Sequence, residues 1–460
     1  MNLEDTIAAI STPPGIGGIA IVRVSGSRTC EVLERVFRPR DGSVAARSIA
    51  DHAVVYGHIV RKGRAVDEVL VTVMRKPRSY TREDMAEIGC HGGFTASRKV
   101  LEAFLEAGAR CAEPGEFTLR AFINGRIDLS QARAVLDAVH SRTEASLRLA
   151  MGKLDGALSR RVAEVREDIV RLLANAEADI DFPGEEHVRV SGEALAGKVK
   201  AILARTEELL ESGVSGRLYF DGVSAVIVGR TNVGKSSVLN RLLREERALI
   251  SPVPGTTRDF LEGTVNVRGI PVRIIDTAGI RKTERSIERM GVEKALSWMK
   301  KAEMNILVLD GSRRLHADDR RLLDGIQAKP YVICVNKSDL PRRAGTRDVE
   351  RRFPAGRIVS VSAKTGRGIE ELEEKIYNVI QSGQAGRTVE DVYVSDREEQ
   401  VLRDVVAALG RAVEVSGEPA RAELFAEELR RALGAIDRVT GRGVDGEILA
   451  RIFSQFCIGK

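Results

Sequence analysis

A glycine-rich segment, Gly229–Ser236, constrains the fold of this chain more than any other feature of the sequence. It reads GRTNVGKS, follows the β-branched run Val223–Val228, precedes a stretch with helical periodicity, and matches the pattern G-x-x-x-x-G-K-S. At such a strand-to-helix turn, backbone N–H groups converge on phosphate oxygens, and the helix N-terminus favours negative charge. We expect Lys235 to reach the β- and γ-phosphates of a nucleotide and Ser236 to offer its hydroxyl to Mg²⁺.

Further motifs follow in the order that a GTP-binding domain requires. Thr256 and Thr257 offer hydroxyls on a loop, and one of them can complete the Mg²⁺ shell when the γ-phosphate is present. Asp276 ends the strand-like run Val272–Ile275 and places a carboxylate near the water shell of the metal, while Gly279 offers an N–H to the γ-phosphate. The spacing therefore predicts a switch that responds to the γ-phosphate.

The motif Asn336-Lys337-Ser338-Asp339 predicts which base is bound. A carboxylate at Asp339 accepts hydrogen bonds from N1–H and the 2-amino group of guanine, which adenine cannot offer, so we expect GTP and not ATP. Ser362-Ala363-Lys364 follows the run Ile358–Val361 and closes over the base. The residues predicted to bind the nucleotide are Asn232, Val233, Gly234, Lys235, Ser236, Ser237, Ser251, Pro252, Val253, Pro254, Gly255, Thr256, Thr257, Asp276, Thr277, Ala278, Gly279, Asn336, Lys337, Ser338, Asp339, Ser362, Ala363 and Lys364.

The residue that orients the attacking water differs from that of Ras-like enzymes. Those enzymes use a Gln just after the Asp-x-x-Gly element, where this chain has Ile280. Glu288 follows the stretch Arg281–Ile287 and is the carboxylate that we favour as the catalytic residue. The alternative is that Glu288 is a solvent-facing helical residue.

The length of 460 residues exceeds a single core and predicts two or three domains. Residues 1–118 alternate strand-like and helical runs and predict a small α/β or α+β domain. Residues 119–216 and 384–460 have helical periodicity, and residues 217–383 have the βαβ pattern of a mostly parallel sheet with helices on both faces. Because the last segment would bury little by itself, we expect one helical domain interrupted by a P-loop GTPase domain. The alternative is two separate helical pieces.

Composition and cysteine spacing exclude several other classes of protein. The chain has 43% hydrophobic and 30% charged residues, no apolar run of the roughly 18 residues that a membrane-spanning helix needs, and no basic region at Met1–Asp5. We therefore expect a cytoplasmic protein that does not contact a membrane. The net charge of +6 permits contact with a polyanion and fits a solvated surface equally well. Neither a disulfide framework nor a zinc site is indicated by the scattered cysteines, Cys30, Cys90, Cys111, Cys334 and Cys457.

Motifs outside the nucleotide site connect the chain to a known family. They are Thr12-Pro13-Pro14-Gly15-x-Gly17-Gly18, Arg23-Val24-Ser25-Gly26, His91-Gly92-Gly93, Pro114-Gly115-Glu116-Phe117 and Cys457-Ile458-Gly459-Lys460. With these motifs the chain resembles, from end to end, the bacterial tRNA-uridine-modification GTPase family called MnmE or TrmE. The resemblance implies an N-terminal α+β folate-binding-like and dimerisation domain, a helical domain split in sequence, and an inserted Ras-like G domain.

The resemblance also implies an activity with partners and cofactors. A homodimer works with a flavoprotein partner, MnmG or GidA, in a heterotetramer, and builds a carboxymethylaminomethyl or aminomethyl group on carbon 5 of the wobble uridine of certain tRNAs. The implied cofactors are GTP, Mg²⁺, K⁺ and 5-formyl-tetrahydrofolate or a related one-carbon folate. The monovalent cation neutralises transition-state charge where another GTPase uses an arginine finger, an effect of about 10³ to 10⁵ in rate.

Site residues follow from the resemblance motif by motif. Ser236 and Thr257 correspond to the Mg²⁺ ligands, and Glu288 corresponds to the glutamate that positions water. The implied K⁺ ligands are Asn232, Ser251, Val253 and Thr256.

A second implied site lies outside the G domain. Arg23, Glu87, Arg126 and Lys460 match the folate-binding positions, where a carboxylate suits the paired donors of a pterin and cations suit a carboxylate tail. From the residues alone, each of them is equally well a surface salt-bridge partner. Cys457 is either a participant in the modification chemistry or a small buried residue.

Some positions depart from the family pattern. Thr231 and Val233 replace the usual Pro and Ala at variable positions of the phosphate-binding loop. Arg126 replaces a frequent Lys, which keeps the charge but changes the donor geometry, and Arg133 stands where an acidic residue is common.

Two other functions remain open at the level of sequence. One is a GTP-dependent switch in ribosome assembly, although no KH motif with its G-x-x-G loop is evident outside the G domain. The other is a folate-dependent one-carbon enzyme that GTP regulates.

Overall fold

The computed structural model describes residues 4–40, 42, 45–181, 192–244, 262–276, 289–341, 345–382, 392–416 and 421–460. In this part of the chain, no helix has both the length and the apolar character needed to cross a membrane. Several predicted site residues lie outside the described residues, namely Ser251, Pro252, Val253, Pro254, Gly255, Thr256, Thr257, Thr277, Ala278, Gly279 and Glu288.

The N-terminal part of the chain forms a sheet of seven strands with the strand order β3-β4-β5-β6-β2-β1-β7. All described neighbours pair antiparallel except β1 and β7. The elements are β1 Ile7–Ile10, β2 Ile19–Ser25, α1 Thr29–Val36, β3 Phe37–Pro39, β4 Val54–Arg61, β5 Arg64–Met74, β6 Met85–His91, α2 Phe94–Glu106, β7 Arg110–Cys111, α3 Glu116–Ile123 and α4 Leu129–His140, with a 3₁₀ turn at Ala46–Ser48.

Alternation of side chains places the core on one face of this sheet. Val69, Val71 and Val73 of β5 are buried at every second position, as expected for a strand with one covered face. Helix α2 contributes Val100 and Phe104, four positions apart on one side of the helix, to the same apolar cluster. This α+β arrangement confirms the fold class predicted for the beginning of the chain.

The next three helices are α5 Glu144–Leu154, α6 Ala157–Asp181 and α7 Gly192–Asp221. The buried positions of α6 recur at intervals of three and four, as the sequence periodicity predicts. They are Leu158, Val162, Val165, Ile169, Leu172, Leu173 and Ala176.

A second sheet of six strands has the order β13-β12-β11-β8-β10-β9 and is parallel except for β9. Alternate residues of β8 enter two different apolar clusters, Ala225 and Ile227 in one and Val226 and Val228 in the other, because both faces of the sheet are covered. The elements are β8 Val223–Val228, α8 Lys235–Arg244, β9 Glu262–Val267, β10 Ile270–Asp276, α9 Arg289–Lys301, β11 Met304–Asp310, α10 Ala317–Gly325, β12 Tyr331–Asn336, α11 Gly345–Arg352, β13 Ile358–Ser360 and α12 Ile369–Ser382, with 3₁₀ turns at Ile326–Ala328 and Ala355–Arg357.

The chain then returns to helices, with α13 Asp396–Val415, α14 Ala422–Thr440 and α15 Gly446–Phe453. A helical segment therefore precedes and follows the Ras-like α/β fold in sequence, as predicted. By internal contacts the chain divides into two compact units: Met1–Leu136 with Leu433–Lys460, and Asp137–Ala432.

All five cysteines are free thiols that differ in exposure. Cys90 and Cys334 are buried, and burial raises the pKa of their thiols to about 11 and about 12. Cys111 and Cys457 are exposed, whereas Cys30 is partly buried.

Candidate nucleotide-binding site

The phosphate-binding loop connects the end of β8 to the first turn of α8. Its backbone depends on glycine at two positions, since Gly229 has φ +150° and Gly234 has φ +97°. A Cβ at Gly229 would lie 2.3 Å from the Val308 carbonyl oxygen, and a Cβ at Gly234 would lie 2.2 Å from Asn336 Nδ2. Side chains at these positions are therefore excluded by backbone conformation and by space.

The loop surrounds the ammonium group of Lys235. Its Nζ donates hydrogen bonds to the carbonyl oxygens of Gly229 at 2.8 Å and Arg230 at 2.7 Å. Ser236 and Ser237 follow in the first turn of α8 and are exposed, whereas Val233 is buried. A cation and two hydroxyls thus lie at a helix N-terminus, where backbone N–H groups and the helix dipole favour an anion.

The buried amide of Asn336 connects the loop to the two predicted base-binding motifs. Its Nδ2 donates to the Val233 carbonyl oxygen at 2.9 Å, and its Oδ1 accepts from the Ala363 N–H at 3.0 Å. Three segments that are far apart in sequence are therefore tied by one side chain that uses both its donor and its acceptor.

Asp339, which is predicted to bind the base, is exposed. Its Oδ1 accepts a hydrogen bond from Ser362 Oγ at 2.6 Å. This hydrogen bond and the nearby Lys364 and Lys337 ammonium groups hold the pKa of the Asp339 carboxyl below its usual value. The group is consequently a carboxylate at neutral pH, the state that accepts two hydrogen bonds from guanine.

Lys337 connects the phosphate-binding loop to the end of β11. Its Nζ donates to the Asn232 carbonyl oxygen at 3.0 Å and to Asp310 Oδ2 at 2.7 Å. Burial raises the pKa of Asp310, but hydrogen bonds from Lys337 and Ser312 outweigh it and leave the pKa below its usual value. The stem of Lys337 is thereby fixed between the phosphate-binding loop and the end of β11.

Sequence reasoning missed Asp310. The available signal was its position at the end of β11, since β11 pairs with β12 and places Asp310 beside Asn336. In a parallel sheet the carboxyl ends of neighbouring strands meet at one edge, so a carboxylate there faces the site. Asp276 ends β10 at the same edge, where it pairs in register with Ile227.

A second cluster of predicted site residues lies in the unit that contains the first sheet. Arg23 of β2 and Glu87 of β6 are paired across the strands, and Arg23 Nη2 lies 2.7 Å from Glu87 Oε1. Arg23 Nη1 also donates to the Gly459 carbonyl oxygen at 3.2 Å, next to Lys460. The structure therefore brings three of the four predicted folate positions, Arg23, Glu87 and Lys460, to one place.

The fourth position, Arg126, joins this cluster through an aromatic ring that the sequence did not single out. The Arg126 guanidinium lies 4.7 Å from the centre of the Tyr80 ring, and that of Arg23 lies 5.4 Å from it. Tyr80 Oη is hydrogen-bonded to Thr118 Oγ1 at 2.9 Å. Two cations thus lie against one aromatic ring, and one of them, Arg23, is paired with the Glu87 carboxylate, a combination suited to a flat ligand with acidic and donor groups. Cys457 is exposed and belongs to the same C-terminal segment as Gly459 and Lys460. Its carbonyl oxygen accepts a hydrogen bond from the Gly115 N–H at 3.4 Å.

Two family models together match most of this chain. A family model described as "GTP-binding protein TrmE N-terminus" matches residues 6–126, and one described as "MnmE helical domain" matches residues 129–457. A tRNA modification GTPase MnmE from Carboxydothermus hydrogenoformans is 44% identical over 100% of both chains. One from Enterococcus faecalis is 41% identical over 99% of this chain and 98% of its own.

Among solved structures, the G domain of the T. maritima FeoB iron transporter is similar over 35% of this chain and 99% of that chain. It is 26% identical to this chain, with a TM-score of 0.25. The two family models and the full-length relatives show that this chain belongs to the MnmE family of tRNA modification GTPases.

Proposed function

We propose that this chain is a K⁺-dependent GTPase that drives modification of the wobble uridine of certain tRNAs. The observation that carries the proposal is the Asn336 amide, which holds Val233 of the phosphate-binding loop and Ala363 of the base-binding segment together. One site is thus formed that fits a triphosphate at one end and a guanine at the other.

Each part of the nucleotide has residues suited to it. Lys235 donates to phosphate oxygens once they replace the carbonyl oxygens of Gly229 and Arg230, and Asp339 accepts from guanine. Mg²⁺, held by Ser236 and Thr257, would supply charge neutralisation at the β- and γ-phosphates. The remaining predicted nucleotide-binding residues act through backbone N–H groups and by closing the site.

The K⁺ site and the catalytic glutamate belong to the same proposal. Asn232 has φ +62° and is exposed beside the phosphate-binding loop, with its carbonyl held by Lys337. Ser251, Val253 and Thr256 would complete the K⁺ shell, and Glu288 would orient the attacking water; these four residues lie outside the described residues. Replacement of K⁺ by Na⁺ is expected to suppress hydrolysis, and equal rates in both salts would remove this site.

A one-carbon folate, such as 5-formyl-tetrahydrofolate, is proposed for the cluster around Tyr80. Glu87 suits the donors of the pterin, while Arg23, Arg126 and Lys460 suit its acidic tail. Cys457 is proposed to take part in the modification chemistry. The proposed domains are residues 1–118, 119–216, 217–383 and 384–460, the second and fourth forming one helical domain.

We propose a cytoplasmic homodimer that pairs through the first sheet unit and binds the flavoprotein MnmG or GidA. An exposed apolar patch supports the pairing, because Ile19 and Phe94 are 73% and 70% exposed and Ile16 is fully exposed. A Cβ at Gly92 would lie 2.1 Å from the Gly17 carbonyl oxygen, so the two segments that carry these residues are adjacent. Sedimentation of the Phe94→Asp variant should reveal monomers, while an unchanged dimer would rule out this patch.

The experiment that tests the function compares modified nucleosides in total tRNA. Cells that lack the gene are complemented with the wild-type chain or with the Asp339→Asn variant. We expect the wobble-uridine modification only with the wild-type chain. Intact modification together with defective ribosomes would instead favour a ribosome-assembly switch, and folate turnover without tRNA would favour a one-carbon enzyme.

A further inference from the structure

Helix α5 contacts the turn of the hairpin formed by β9 and β10. The hairpin β9–β10 joins, in sequence, the segment that carries Thr256 and Thr257 to the segment that carries Thr277 and Gly279. Its strand β10 ends at Asp276, at the edge of the sheet where the phosphate-binding loop also lies. A displacement of this hairpin therefore moves a predicted nucleotide-site residue directly.

The turn of this hairpin is held by the N-terminus of α5. Thr143 is 6% exposed, and its Oγ1 donates to the Gly269 carbonyl oxygen at 2.8 Å. Gly269 has φ +92°, and a Cβ there would lie 2.8 Å from Ala145 Cβ and 3.3 Å from the Tyr219 ring. Thr143 also caps α5, since its Oγ1 accepts from the Ser146 N–H at 3.1 Å. One hydroxyl thus connects the hairpin turn to the first turn of the helix.

The other end of α5 is held by α13. Lys153 is 0% exposed, and its Nζ lies 2.6 Å from Glu398 Oε2 in the first turn of α13. The same ammonium group lies 4.7 Å from the centre of the Tyr393 ring. Glu398 Oε2 accepts two further hydrogen bonds, from Ser395 N–H at 2.8 Å and Ser395 Oγ at 2.7 Å.

The middle of α5 packs into the core of the G domain. Leu149 is buried in one apolar cluster with Tyr219, Tyr393 and strand residues such as Val267 and Val272. Close-packed interiors transmit displacements because they have few voids to absorb them. The buried cluster thus makes α5 a continuously packed connection between the hairpin turn and Lys153.

We propose that α5 transmits the nucleotide state of the G domain to α13, with Thr143 as the positioning residue at the hairpin. This inference rests on the proposed function, because it requires a GTP-bound and a GDP-bound state. Coupling between two sites is reciprocal, so a contact that transmits the nucleotide state must also affect nucleotide affinity. Thr143 lies outside every predicted nucleotide-binding motif and, within the described residues, reaches the site only through the hairpin.

The test uses the full-length protein and four variants, Thr143→Val, Thr143→Ser, Ser146→Ala and the double variant Lys153→Met with Glu398→Met, in which two apolar side chains replace the buried ion pair. The Thr143→Val change removes the hydroxyl that holds Gly269, whereas Thr143→Ser keeps it. The Ser146→Ala change weakens the helix cap but leaves the Thr143–Gly269 hydrogen bond, and so controls for simple destabilisation of α5. Hydrogen exchange of residues 144–154 and 396–415 is measured with GDP and with a non-hydrolysable GTP analogue.

In the wild-type chain we expect exchange of both helices to differ between the two nucleotides. The difference should disappear in Thr143→Val and persist in Thr143→Ser and Ser146→Ala. In the double variant of Lys153 and Glu398, α5 should still respond and α13 should not. The ratio of affinities for the GTP analogue and GDP should shift by about 5- to 150-fold in Thr143→Val, the range typical of coupled sites.

Exchange that is independent of nucleotide in the wild-type chain would overturn the proposal, as would an unchanged affinity ratio in Thr143→Val. Equal loss of coupling in Ser146→Ala would also overturn it, because helix stability alone would then explain the effect. Absence of any nucleotide binding by the wild-type chain would contradict the proposed function instead, so the two failures are distinguishable.

Discussion

Asn336 Nδ2 donates a hydrogen bond to the carbonyl oxygen of Val233, a residue 103 positions earlier in the chain, at 2.9 Å. The same amide accepts from Ala363 N–H, and the side chain is almost fully buried. The shape of the phosphate-binding loop therefore depends on a residue of the base-binding motif. One buried side chain therefore joins the two ends of the candidate nucleotide site.

The Asn336→Ala variant should bind GTP much more weakly than the wild-type chain. The loss should exceed that of one hydrogen bond between protein and nucleotide, because the amide also holds the phosphate-binding loop. It removes the partner of the buried Val233 carbonyl, at a cost of about 1 to 3 kcal/mol, and that of the partly buried Ala363 N–H. Titration calorimetry and thermal unfolding measure the two consequences. Normal GTP affinity in a less stable variant would show that the loop keeps its shape without this amide.

The Asp339→Asn variant should change the base that is bound. Guanine loses an acceptor of two charge-assisted hydrogen bonds of about 1.5 to 3 kcal/mol each, so GTP affinity should fall by roughly 10² to 10⁴. An amide offers a donor to the 2-oxo group of xanthine, so XTP should bind more tightly than GTP. Competition binding measures the relative affinities for GTP and XTP. An unchanged preference for GTP would mean that Asp339 does not contact the guanine base.

The Lys153→Met variant should be strongly destabilised. Removal of one partner leaves the Glu398 carboxylate buried without its counter-ion, at a cost of about 3 to 5 kcal/mol. The double variant with Glu398→Met should recover much of this loss, because two apolar side chains of similar volume replace the ion pair. Chemical denaturation of the single and double variants measures the difference, and purely additive losses would mean that the two residues do not interact.

The same ion pair predicts a pH dependence of stability. Burial raises the pKa of Glu398, but Lys153 and the Ser395 hydrogen bonds outweigh burial, so its folded-state pKa lies below the usual value of 4.5. A lowered carboxyl pKa contributes stability that is present above pH 4.5 and is lost as the pH falls through the folded-state pKa. The free energy of unfolding should therefore fall less steeply below that pH in Glu398→Gln than in the wild-type chain, and parallel curves would contradict the assignment.

The Glu87→Gln variant tests the folate proposal. Loss of a charged acceptor should weaken binding of 5-formyl-tetrahydrofolate by about 10- to 100-fold, the effect of one hydrogen bond to a charged group. The matched control is Glu102→Gln, which breaks the Arg61–Glu102 ion pair of the same unit at 2.6 Å. Equal folate affinity in all three proteins would remove Glu87 from the site.

The sequence predicted the elements whose pattern is local. The run Val223–Val228 became β8 with the same bounds, and Val272–Ile275 lies within β10. Strand β9, Glu262–Val267, was not predicted, because its residues EGTVNV contain only two apolar positions. It is a strand because it pairs with β10 across the turn at Arg268 and Gly269, which is a tertiary effect.

The same distinction applies to the candidate sites. The place of Lys235 at a strand-to-helix turn was predictable from the motif and its spacing, as was the strand end that carries Asp276. The roles of Asp310 and Tyr80 were not, because they arise from neighbours that are distant in sequence. The predicted residues outside the described ranges, Glu288 among them, stay predictions.

The unequal exposure of the thiols has a practical consequence for spectroscopy. Thiolates attack maleimide and nitroxide labelling reagents. The raised pKa values of Cys90 and Cys334 disfavour the thiolate form, and burial shields both sulfur atoms from the reagent. A label added under mild conditions should therefore attach first at Cys111 and Cys457. The Cys111→Ser variant would leave a natural reporter beside Gly459, in which ligand binding to the cluster around Tyr80 could be followed without any engineered cysteine.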